Sequence, residues 1–135
     1  MLLQKYANLE DWTRAQKTNL QFELTSSVDP ELLFSSKLMN RLGEKNVSSL
    51  HKIQSGTAGI GWFCVQDVIQ KKTKNGKTFY RIRAIDNEHN ATWLRVWGKF
   101  ENNVPPERFS LWMAHASNDS NWGFSTSVTK LRRIA

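Results

Sequence analysis

Polar and apolar positions alternate with period two along residues 79–85 and again along residues 92–97, which predicts two neighbouring strands. One alternating set is apolar and of types that fit a pleated core surface: Tyr80, Ile82 and Ala84 on the first strand, Leu94 and Val96 on the second. The other set is aromatic and basic: Phe79, Arg81 and Arg83, then Trp93, Arg95 and Trp97. With the apolar set turned to a core, the second set is left outside. The intervening Asp86-Asn87-Glu88-His89-Asn90 is rich in residues that tolerate turn conformations, so the strands should pair antiparallel and share that outer face.

Upstream the pattern is helical. Trp12, Ala15, Gln16 and Leu20 fall on helical spacing within residues 9–20. A second helix is expected from an Asp29 cap and Pro30, along a stripe of Leu32, Leu33, Met39 and Leu42, to a left-handed stop at Gly43. Leu32, Phe34, Met39 and Leu42 read as packing residues, and a short helical turn is expected at Ser49–Gln54. Gly59 and Gly61 then precede an apolar strand over Trp62–Gln70, and Asn75-Gly76 signals a hairpin into the strand at Phe79. Pro105-Pro106 bars regular structure after Trp97, and two more strands are expected at Phe109–Ala116 and Trp122–Ile134.

Five strands with a break between the third and fourth describe a mainly β fold, an oligonucleotide-binding Greek-key barrel preceded by two or three short helices. A small β-sandwich or SH3-like barrel has the same strand count. Residues 1–56 are expected to form a helical segment packed on the barrel, and residues 57–135 the nucleic-acid-binding domain.

Charge sharpens this reading. The 135 residues hold 19 Lys and Arg against 12 Asp and Glu, a net charge of +7 that favours polyanionic partners. The excess gathers where the strands are: Lys71, Lys72, Lys74 and Lys77 flank the first hairpin without an acid, and Lys130, Arg132 and Arg133 lie near the last residue. A lysine-rich hairpin tip can also be simply solvated. The outer face suits single strands, since each base offers a π-face to a ring and each nucleotide a phosphate to an arginine. Phe79, Trp93 and Trp97 are therefore the expected stacking platform, Arg81, Arg83 and Arg95 the phosphate or base partners, and the four hairpin lysines one wall of a groove. Cross-strand aromatic packing with arginine stems lying over rings is the structural alternative. Trp112 and Trp122 read as packing residues and His115 as a plain strand position.

Other chemistry finds little support. The single Cys64 excludes an internal disulfide framework, and His51, His89 and His115 are too scattered for metal-ligand spacing, so neither metal nor cofactor is expected. No Ser or acid stands in a recognisable pattern with a His, so catalysis is not expected. No apolar run approaches the roughly 20 residues that span a bilayer and no charged-then-apolar leader opens the sequence; a cytoplasmic protein without membrane contact is expected.

Short motifs add a resemblance over about residues 20–100. Thr73-Lys74-Asn75-Gly76-Lys77 followed by Ala84-Ile85-Asp86, behind the helical stretch holding Leu20-Gln21-Phe22-Glu23-Leu24-Thr25, resembles the C-terminal region of the alpha subunit of bacterial DNA polymerase III, the C-family replicative polymerase. In that family a helical stretch with a Leu-Gly-Phe signature precedes an oligonucleotide-binding barrel implicated in contacting single-stranded template. This chain departs from the pattern: Gln21 replaces a glycine, Ser27-Val28-Asp29-Pro30 stands where a His-Pro pair is usual, and Cys64 falls where a glycine is common. Those are the departures of a divergent relative, such as a phage form, or of a free-standing barrel. The family's catalytic aspartates lie in a palm domain far upstream, so the resemblance implies a non-catalytic fragment or accessory subunit that binds single-stranded DNA and works beside other replication proteins. Two alternatives stay open: a protein-interaction module of the same fold in a replication complex, and a binder of RNA or transfer RNA.

Overall fold

Four consecutive apolar residues, Trp62 to Val65, break the period-two pattern, and the computed structural model, which describes residues 14–18 and 34–135, shows why. They lie in strand β2 (Thr57–Lys72) where both of its faces are covered. Phe63 and Val65 enter the main core with Tyr80, Ile82, Leu94, Val96 and Phe124. Trp62 and Cys64 point the other way, into a second cluster with Leu42, Phe109 and Leu111. A strand buried on both sides has no polar face to alternate with.

The described residues form a mainly β structure with seven strands in one sheet: β1 (Ser48–Ser49), β2, β3 (Thr78–Ile85), β4 (Ala91–Trp97), β5 (Leu111–Asp119), β6 (Gly123–Ser127) and β7 (Leu131–Arg133). Their order is β1-β2-β3-β4-β6-β5-β7, and β2 pairs with β5 as well. The pairings β2–β3–β4–β6–β5–β2 thus close a ring of five strands. All are antiparallel except β4–β6. The length of β2 makes closure possible: residues 57–64 pair with β5 and residues 64–72 with β3. The register shifts between Val65 and Asp67, where the strand passes from one partner to the other, as a bulge that bends it.

Two sequence expectations change here. The single strand expected over Trp122–Ile134 is divided by a 3-10 turn at Val128–Lys130; β6 pairs with β4 and β5, and β7 returns to pair with β5. The two-residue β1, parallel to β2, had no sequence signal. Gly61 accommodates it: a Cβ there would lie 2.5 Å from the Leu50 Cα, closer than any side chain allows.

Residues 14–18 are helical, with Ala15 and Thr18 buried. Helix α1 (Ser36–Glu44) starts at Ser35, whose hydroxyl accepts the Leu38 N–H at 3.2 Å. It runs past the expected stop at Gly43, and Asn46 supplies the left-handed residue at φ 56°. The Asn46 N–H donates to the Gly43 carbonyl and the Val47 N–H to that of Leu42, while Leu42 and Val47 enter the same apolar cluster. This is the Schellman arrangement, and the apolar pair fixes where it falls. Phe34, Leu38, Met39 and Leu42 seat α1 over Trp62. The expected Asp29 cap, Pro30, Leu32 and Leu33 lie outside the described residues, as do Trp12, Leu20 and the Leu20–Thr25 segment. Among the described residues no helix is long and apolar enough to cross a membrane.

Candidate nucleic-acid interface

The register of β3 and β4 sets Phe79 opposite Trp97, Arg81 opposite Arg95 and Arg83 opposite Trp93. Directly opposed residues point to the same side, so the six side chains form one surface of three cross-strand rows. The inner face fixes that choice. Tyr80, Ile82, Ala84, Leu94 and Val96 are all buried, and slipping either strand by one residue would expose them.

All six outer side chains are half-buried, each against its neighbours. Phe79 and Trp97 pack with ring centroids 4.8 Å apart and planes tilted by 33°. The Arg81 guanidinium lies 4.7 Å from the centre of the Trp93 ring and that of Arg83 5.8 Å from it, both within cation–π range. Arg83 is further held by its Nε, which donates to Gln66 Oε1 at 2.6 Å. Gln66 sits at the β2 bulge, so the bulge that bends the strand also orients an arginine of the face.

The hairpin lysines divide. Lys71 pairs with Phe79 and joins the outer face, whereas Lys72, paired with Thr78, faces the other way. Lys77 reaches back over Trp97, its Nζ 4.7 Å from the ring centre. Lys74 stands exposed on the turn, which Gly76 makes possible at φ 80°. On β2 the same face continues through Ile69, opposite Arg81, and Asp67, opposite Arg83.

Trp122 was expected among the packing residues, yet it is 72% exposed. The Asp119 carboxylate accepts the N–H groups of Asn121 and Trp122, at 2.8 and 3.0 Å, and Gly123 takes φ 77°, so the β5–β6 turn is tight and leaves the indole outside. Arg95 binds this turn: its Nη2 donates to the Trp122 carbonyl at 3.1 Å and its guanidinium lies 5.7 Å from the ring centre. Trp112, by contrast, is half-buried against the core and donates to Ser110 Oγ at 2.8 Å. His115 is an exposed position of β5.

Asp86 shapes the turn that joins the two strands. Its Oδ1 accepts the N–H groups of Glu88 and Asn90, and its Oδ2 accepts from the Asn90 amide and lies 2.5 Å from His51 Nδ1. Burial raises its pKa, but the hydrogen bonds from Asn90 and Glu88 and the nearby His51 outweigh burial and hold the carboxyl below its usual range. A depressed folded-state pKa gives stability that is complete above the unfolded value of about 3.9 and lost as pH falls through the folded one. Asp86→Asn should therefore lower the urea midpoint near neutral pH and shrink its fall between roughly pH 5 and pH 2, measured by tryptophan fluorescence. An unchanged acid dependence would separate Asp86 from it.

Burial pushes the Cys64 thiol up to about 12 against the opposing pull of Arg14, so it is no thiolate nucleophile. Among the described residues no three of His, Cys, Asp and Glu come together as a metal set. The chain matches no family model, and no curated protein matches it.

Proposed function

We propose that the five-strand ring is an oligonucleotide-binding barrel and that its β3–β4 face binds single-stranded nucleic acid, DNA first, without catalysis. What supports the barrel is the order of pairing: three consecutive antiparallel strands, a return to the first strand by β5, and a parallel pair, β4–β6, that completes the circuit. Such barrels bind oligonucleotides on their second and third strands, which here are β3 and β4. The observation that carries the proposal is the register itself, since it gathers three rings and three guanidinium groups on one surface. The Thr73–Lys77 turn and Asp86 support the further reading that this chain is a fragment or accessory subunit related to the replicative polymerase named above.

Labelled oligo(dT) should bind and quench tryptophan fluorescence, with log affinity falling by about 0.7 per decade of salt for each phosphate neutralised. Affinity that barely responds to salt would favour a protein-interaction surface instead. An RNA oligomer of equal length, used as competitor, should be the weaker ligand; a stronger one would assign the site to RNA, which has a 2′-hydroxyl to read.

A further inference from the structure

We infer that the face takes an extended, unstacked strand and stacks two bases that lie two nucleotides apart on Trp93 and Trp97, the nucleotide between them meeting the Arg81–Arg95 row. The inference rests on the single-strand reading above and deepens it. The two indoles occupy end rows: Trp97, braced by Phe79, in one and Trp93 in the other. Between them the middle row runs Ile69, Arg81, Arg95, Ser125 across four strands and holds no ring. Successive rows are two residues apart, so the end rows are separated by about 13 Å along the strands.

A helically stacked strand rises about 3.4 Å per nucleotide and, with a base on each end row, would set about three more between them, above a row without rings. A strand drawn out to roughly twice that rise sets one base on each end row and one nucleotide between. The middle row supplies what that nucleotide's phosphates need, two guanidinium groups from neighbouring strands. Arg95 is tied to the Trp122 carbonyl, which holds its charge on the β6 side of the row. Arg81 leans toward Trp93, which holds its charge at the edge of the next platform.

The test uses two dodecamers of equal charge, each half thymidine and half abasic. In one, thymidine and abasic units alternate, so thymines two apart recur throughout. In the other, pairs of thymidines alternate with pairs of abasic units, so no two thymines are two apart. The alternating strand should bind within about threefold of the all-thymidine dodecamer, and the paired strand about tenfold more weakly, one stacked base being lost. Equal affinity of the two, or tighter binding of the paired strand, would overturn the spacing while leaving the single-strand reading in place. Failure of the all-thymidine dodecamer to bind would overturn both.

Discussion

Replacing Trp93 and Trp97 together with alanine should weaken oligo(dT) binding about thirtyfold or more, since each base stacked on a ring contributes roughly 1–3 kcal/mol and 1.4 kcal/mol is a factor of ten. The fold should survive. Both indoles lie on the outer face, and the residues that interleave with them, Leu94 and Val96, stay buried in the core. Some stability is lost with the Phe79 contact and with the guanidinium groups over Trp93, each of order 1 kcal/mol, so the thermal midpoint should drop by several degrees without loss of cooperativity. Binding is best read by anisotropy of a labelled strand, because the substitutions remove two of the six tryptophans that would report by fluorescence. The conservative Trp93→Phe/Trp97→Phe pair keeps a π-face in each end row and should recover most of the affinity. Wild-type affinity in a folded alanine double mutant would move the ligand off this face.

The face was legible in the sequence because two rigid facts determine it: side chains alternate along a strand, and a core accepts only one of the two sets. Tyr80, Ile82, Leu94 and Val96 settle which set is outside, and the turn at Asp86 settles that both outsides coincide. What the sequence concealed depends on contacts between distant residues. Gly43 and Asn46 are both able to take a left-handed conformation, and the choice between them is made by Leu42 meeting Val47 across the turn, a pairing visible only when the apolar positions five apart are considered together. Trp122 reads as core by composition alone. Its exposure follows from Asp119 three residues earlier and Gly123 one residue later, a tight-turn pattern that outranks the hydrophobicity of the ring. The break between β6 and β7 leaves still less trace, because Ser127 to Lys130 carries neither Gly nor Pro and the chain turns there only because β6 and β7 have different neighbours to meet.

The arginines make a separate and larger prediction. If Arg81, Arg83 and Arg95 each neutralise one phosphate, replacing all three with glutamine removes about 2 from the slope of log affinity against log salt and costs about a hundredfold at 0.1 M salt. The wild-type and variant lines then converge toward about 1 M, where counterion release no longer drives binding. The tryptophan variant should behave differently, running parallel to the wild type because stacking releases no counterions. Glutamine suits the test because it keeps a polar end where Arg83 meets Gln66 and Arg95 meets the Trp122 carbonyl. The three positions are half-buried on the outer face, opposite one another or opposite Trp93, so no core contact is lost with the charge. A triple variant whose line also ran parallel to the wild type would mean that these guanidinium groups brace rings rather than bind phosphates. Convergent lines for the arginines with parallel lines for the tryptophans would divide the work of the face between the charge of the three arginines and stacking on the indoles of the end rows.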